Sequence, residues 1–360
     1  YIKKKIILKV SDYRSAFIQG KILAKKGLWV SEYRIESGLN CGGHAFATEG
    51  FLLGPVLKEF KEKRNELKSQ IQELVLEALN ADNRIIPKSD LSLKITAQGG
   101  VGTEEEQAFL LEEYDIDSVG WGSPFLLVPE ATTVDDDTLE KLSKAKEEDL
   151  YLSNISPLGV PFNSLKGNSK DVQKQINIDK NRPGSSCLSK FVALNKEFKE
   201  TGMCTASREY QFLKIKELDT LNISEEEKTI RFNKITEKSC ICVGLGTSAL
   251  IINNADLSKT GSGVSVCPGP NMAYYSKIMS LKNITDHIYG RDNVINRTDR
   301  PNMFLKELNL YFEYLEDKLE EVKISMDKKQ KRYLVKFMRN LQRRGIAFRT
   351  EKMAFHFQVL

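Results

Sequence analysis

The chain lacks any apolar run near the roughly 18 residues that span a bilayer. Its start, Tyr1-Ile2-Lys3-Lys4-Lys5, also lacks the apolar stretch of about 7 to 15 residues that marks a signal peptide. Both absences point to a cytoplasmic protein without a membrane partner. A surplus of one charge is missing too: 54 basic against 49 acidic residues leave a net +5. Dedicated nucleic-acid binders concentrate a basic excess, so nucleic acid is not an expected partner. Six cysteines in 360 residues are too few for a disulfide scaffold and fit a reducing compartment. Only three histidines, His44, His287 and His356, are available for proton transfer near neutral pH.

With 41% hydrophobic and 29% charged residues the chain is globular. Its length suits about two domains of roughly 100 to 200 residues each. Lys5 to Val10 and Leu28 to Ile35 read as strands, with helical spacing from Ser15 to Lys25 and a stop at Gly27 between them. Pro55 to Leu79 reads as a long amphipathic helix, Leu91 to Ala97 as a strand, Glu104 to Tyr114 as a helix and Asp117 to Trp121 as a short strand. This alternation predicts a parallel α/β sheet or barrel. Past about Asp137 it ends. Ser153 to Gly184, rich in Ser, Asn, Pro, Gly and Lys, is expected to be a long surface connection. Residues 302 to 345 return to helix, with an apolar stripe through Phe304, Leu308, Leu310, Tyr311, Tyr314, Leu315 and Leu319.

Three Gly-rich segments follow predicted strands. The first, Leu39-Asn40-Cys41-Gly42-Gly43-His44, pairs glycines, which admit a flat ligand to the backbone, with a histidine suited to proton transfer. The second, Gln98-Gly99-Gly100-Val101-Gly102-Thr103-Glu104, runs into a helix N-terminus, which favours a phosphate. In the third, Gly120-Trp121-Gly122-Ser123-Pro124-Phe125, backbone amides and the Ser123 hydroxyl can reach the same anion.

In order and register these segments, with Glu130-Ala131 behind them, resemble the flavin-binding half of the nitronate monooxygenase family, formerly the 2-nitropropane dioxygenases. The match covers about residues 5 to 135. It implies the C-terminal half of an FMN-binding (β/α)8 TIM barrel, followed by a mixed, helix-rich extension. The expected division is a half-barrel over 1–140, a cysteine-bearing extension over 141–300 and a helical basic segment over 301–360.

By this resemblance Gly99, Gly100, Gly122 and Ser123 hold the FMN phosphate, Gly42 and Gly43 flank the isoalloxazine, and His44 transfers a proton near the flavin. The implied activity is an FMN-dependent monooxygenase-type oxidation of a small-molecule substrate, inactive in an isolated half-barrel. The flavin-dependent enoyl reductases of fatty-acid synthesis share the Gly-Gly-His arrangement, so reduction of an enoyl thioester is the alternative in the same chemistry. Ala45-Phe46 stands where that family commonly has Arg-Gly, Ser123 where it has Thr, and the connection between the second and third strands is long. These departures bear on the substrate more than on the flavin. The resemblance also makes Lys5 to Val10 the fifth strand of a barrel, so the chain is expected to be N-terminally incomplete by roughly 150 to 250 residues.

Cys187, Cys204, Cys240, Cys242 and Cys267 are spaced by 17, 36, 2 and 25 residues, with no Cys-x-x-Cys, which matches no familiar metal pattern. They are expected to be buried structural thiols, with no metal bound. Cys41 reads as a small turn filler. A third reading gives the extension a non-catalytic, metal- or partner-binding scaffold role. The basic run from Lys328 to Arg344 carries an apolar face through Leu334, Val335, Phe337, Met338 and Leu341, expected to pack on the rest of the protein.

Overall fold

The computed structural model describes residues 4–295, 297–321 and 328–351; His356 lies outside them. The N-terminal part alternates strand and helix: β1 Ile6–Val10, α1 Tyr13–Ala24, β2 Val30–Glu36, α2 Leu53–Ala81, β3 Lys94–Gln98, α3 Glu104–Tyr114 and β4 Ser118–Gly120. The four strands form one parallel sheet in the order β1-β2-β3-β4. The protein is thus mixed α/β with a parallel sheet. The expected strands shift by up to three residues at their starts, where flanking apolar residues extend the pattern beyond the hydrogen-bonded ladder.

Local chemistry sets the helix ends. Asp12 caps α1 by accepting from the Ser15 amide, and Thr103 caps α3 by accepting from the Glu106 amide. Three glutamates in the first turn of α3 lie at the positive end of its dipole. Along α2 the buried residues Phe60, Leu67, Ile71, Val75 and Leu79 recur at helical spacing. They pack with Tyr33 and Ile35 of β2 and Ile95 and Ala97 of β3 into the main core.

The opposite side of the sheet is polar. Glu32 accepts from Arg34 and from the Thr96 hydroxyl, Glu36 accepts from Gln98, and Lys9 pairs with Glu36. One apolar, helix-covered face and one polar, partly open face are unusual for a parallel sheet, which normally buries both.

The remaining elements are α4 Asp136–Lys144, β5 Leu150–Ser153, β6 Phe162–Leu165, α5 Ser169–Asp179, α6 Arg208–Asp219, α7 Glu225–Thr236, α8 Ile241–Ile252, α9 Leu281–Ile288, α10 Met303–Glu321 and α11 Lys328–Glu351. The surface connection expected from Ser153 to Gly184 is not what forms. β5 and β6 pair antiparallel as a hairpin, β6 is buried throughout, and α5 follows. The polar residues that suggested a loop are satisfied inside: Asn163 donates to the Cys41 carbonyl at 2.7 Å, and Ser153 donates to the Phe162 carbonyl at 2.7 Å.

The C-terminal helices return to the first part of the chain. Met303 and Phe304 join the main core, while Tyr311 and Leu315 pack with Leu39, Leu52, Leu334 and Phe337. Tyr311 and Phe337 stack at 5.8 Å. Among the described residues no single helix is long and apolar enough to cross a membrane.

Candidate functional site

All three Gly-rich segments lie beyond the C-terminal ends of adjacent parallel strands, where loops of α/β sheets converge. The segment after β2 is clamped from two sides. From α10, the buried Glu307 carboxylate accepts from the Ser37 hydroxyl at 2.5 Å and from the Leu53 amide at 2.8 Å, and the Met303 carbonyl accepts from Asn40. From the hairpin, the Asn163 amide donates to the Gly43 carbonyl and the Ala45 amide donates to the Pro161 carbonyl.

His44 stands at the end of this segment, partly buried. Its Nε2 is hydrogen-bonded to Ser156 Oγ at 2.7 Å, and its ring meets Phe162 edge-on at 5.0 Å. Burial, reinforced by the Lys9 ammonium, lowers its pKa below the ordinary 6.5. The imidazole is therefore neutral at neutral pH and available as a base. Neither Ser156 nor Phe162 was expected from the sequence, because both belong to the stretch that reads as loop.

In the second segment Gly99 and Gly100 adopt φ of +106° and +82°, a region that favours glycine. A Cβ on Gly100 would lie 2.0 Å from Asn40 Nδ2, so intramolecular packing alone requires glycine there. The Gly102 amide donates to Glu106 Oε2 at 2.8 Å, and Arg300 grips both carboxylate oxygens at 2.9 and 2.8 Å. At Gly102, then, the anion at the loop is the chain's own carboxylate. The Thr-x-x-Glu spacing from Thr103 to Glu106 is the sequence signal that could have found it. His287 is buried and hydrogen-bonded through Nε2 to the Gly102 carbonyl at 2.8 Å, with Trp121 edge-on at 5.8 Å. In the sequence it belongs to the extension, with no Gly pair before it, but α9 brings it onto two of the Gly-rich loops.

The third segment meets the first through a distant part of the chain. The Gly269 amide donates to Ser123 Oγ at 3.0 Å, and a Cβ on Gly42 would fall 2.5 Å from the Cys267 carbonyl oxygen. Gly42 and Ser123 thus come together around Cys267-Pro268-Gly269. Cys41 beside them is buried, and that burial pushes its thiol well up, which keeps it protonated. Alanine at Gly42 is expected to cost about 1–3 kcal/mol, since backbone cannot easily move aside, whereas alanine at the open Gly122 costs little. Denaturant unfolding of both variants checks the contrast.

An FMN group would use the positions that remain open. Nothing lies within 4 Å of a Cβ placed on Gly43 or on Gly122, and Asn40 Oδ1 is a buried acceptor with no partner among the described residues. Gly43 and Gly122 are thus where the backbone leaves room for a ligand, and the partly exposed His44 follows Gly43. Gly42 and Ser123 already face the chain's own loop and fit it less well.

No protein-family model matches the chain, and no curated protein matches it. Among solved structures it is similar to FabK from Thermotoga maritima, with 16% identity over 87% of this chain and a TM-score of 0.37. A mutant of the same protein gives 14% identity over 86% of this chain and a TM-score of 0.38. The chain spans 64% and 63% of the length of those two structures.

Proposed function

We propose that this chain is the C-terminal half of a (β/α)8 barrel that belongs to an FMN-dependent oxidoreductase. One observation carries the reading: three Gly-rich loops, in the order of the flavin-binding half of the nitronate monooxygenases, lie at the C-terminal edge of a parallel sheet. The polar, partly open face that bears Lys9, Glu36 and Gln98 suits the inner wall of a barrel better than a covered sheet.

In this reading backbone amides at Gly99, Gly100 and Gly122 hold the phosphate, and Gly43 lies against the ring. Bound FMN supplies the exchange of electrons with the substrate. His44, neutral at neutral pH and held through Nε2 by Ser156 and edge-on by Phe162, takes or returns the substrate proton. The substrate is a small molecule, a nitronate or, in the alternative, an enoyl thioester. Turnover of the two classes by the full-length protein separates them.

His44→Ala is expected to lower turnover by about 10² to 10⁴ and to leave flavin bound. In the unsubstituted protein kcat/KM should rise with pH through a value below 6.5 and then level, as His44 loses its proton. That limb should vanish in His44→Ala. Full activity in the variant would remove His44 from the chemistry. A full-length protein purified without visible flavin absorbance, and unable to take up added FMN, would overturn the reading.

A further inference from the structure

The extension brings four cysteines into one neighbourhood. Cys240 and Cys242 Sγ are 3.9 Å apart at the start of α8. Cys204 lies within electrostatic range of Cys187 and Cys240, and Cys242 lies within range of Cys204 and Cys187. The backbone builds this convergence. Ser185 pairs with Ser207 in a parallel bridge, with the Ser185 amide donating to the Ala206 carbonyl at 3.0 Å, so Cys187 follows Cys204. Gln211, fully buried, donates to the carbonyls of Thr205 and Lys238 and so ties the loop of Cys204 to that of Cys240.

We propose that Cys187, Cys204, Cys240 and Cys242 form a four-thiolate centre for a thiophilic metal. A tetrahedral ion with metal–sulfur bonds of about 2.3 Å sets its sulfurs about 3.8 Å apart, the separation of Cys240 and Cys242. The surroundings suit negative sulfur. The Val243 amide lies near Cys240 and the Ala206 amide near Cys204, each favouring the thiolate, as amides beside metal thiolates do. Lys170 is 3% exposed, its ammonium donates to the neutral Gln173 amide, and it lies within range of Cys240 and Cys242. A buried cation needs a countercharge, which thiolates would supply.

Among the described residues no group of three or more His, Cys, Asp or Glu side chains is arranged to hold a metal ion. The proposed centre therefore has to assemble as the metal binds. Cys187 is half-buried and, with Cys204, lines a cavity of about 990 Å³ that gives a metal its access. Binding a divalent ion releases the protons of the four thiols. Cys267 belongs elsewhere, since its carbonyl lies against Gly42, and Cys41 lies in the same turn.

The test is metal content after anaerobic purification, with Co²⁺ titration of the metal-stripped, reduced protein. About one zinc per chain, or iron with acid-labile sulfide, supports the centre and tells an ion from a cluster. So does an intense sulfur-to-cobalt absorption that saturates near one Co²⁺. Cys204→Ser and Cys240→Ser should lower bound metal at least tenfold, while Cys41→Ser and Cys267→Ser keep it. Should the first pair fail to fold, iodoacetamide labelling of the unsubstituted protein decides: metal should protect Cys187, Cys204, Cys240 and Cys242. Absence of metal together with a featureless cobalt titration, or equal labelling with and without metal, overturns the proposal.

Discussion

Replacement of Arg300 by alanine is expected to cost about 3–5 kcal/mol of folding stability, the usual range when one partner of a buried ion pair is lost. Arg300 and Glu106 side chains are only 7% and 5% exposed, and the guanidinium takes both carboxylate oxygens. The same carboxylate accepts from the amides of Gly102 and Met303, while Arg300 also donates to the Gly100 carbonyl and to Asn271. Its loss leaves a buried carboxylate without a countercharge and removes the bond to the Gly100 carbonyl. Arg300→Met combined with Glu106→Gln should recover much of the loss, because the cost lies in the unpaired charge. Chemical denaturation of both variants reads this out, and an unchanged midpoint in Arg300→Ala would contradict it.

The second large effect concerns Glu307. Burial raises its pKa from the ordinary 4.5 to about 7, against the opposing hydrogen bonds from Ser37 and Leu53. The folded state then keeps a proton that the unfolded chain gives up above about 4.5. Its contribution to stability is fully present below that value and is lost as pH rises to about 7, a span of about 3 kcal/mol. Glu307→Gln cannot ionise, so stability curves of the two proteins should diverge between pH 5 and about 7, with the variant favoured above. Parallel curves would show that Glu307 does not titrate in this range.

Both residues show what could be read from the chain beforehand and what could not. The alternation from β1 to β4 was legible because β1 is a short apolar run, β2 places Val30, Tyr33 and Ile35 in the core, and α2 repeats its apolar residues at helical spacing. The Gly-rich loops were legible because glycine at Gly99 and Gly100 answers to a left-handed backbone. What closes those loops was not. Arg300 reaches Glu106 and Gly100, and Glu307 reaches Ser37 and Leu53, across more than 190 residues, and an isolated Arg or Glu carries no local pattern. The hairpin of β5 and β6 was hidden because Asn163 and Ser164 are polar yet buried, their hydrogen bonds made to partners that only folding supplies. The neighbourhood of Cys187, Cys204, Cys240 and Cys242 was equally unreadable, since spacings of 17 and 36 residues give no motif until Ser185 pairs with Ser207.

The most direct test of the proposed flavin site is an equilibrium titration of FMN into the full-length protein, followed by quenching of flavin fluorescence. Saturation near one FMN per chain is expected, together with loss of binding in Gly122→Leu, whose side chain would fill a position that has no atom within 4 Å. The thermal midpoint of that variant should change little. No saturable binding, or binding that Gly122→Leu leaves untouched, would contradict a flavin held at these strand ends.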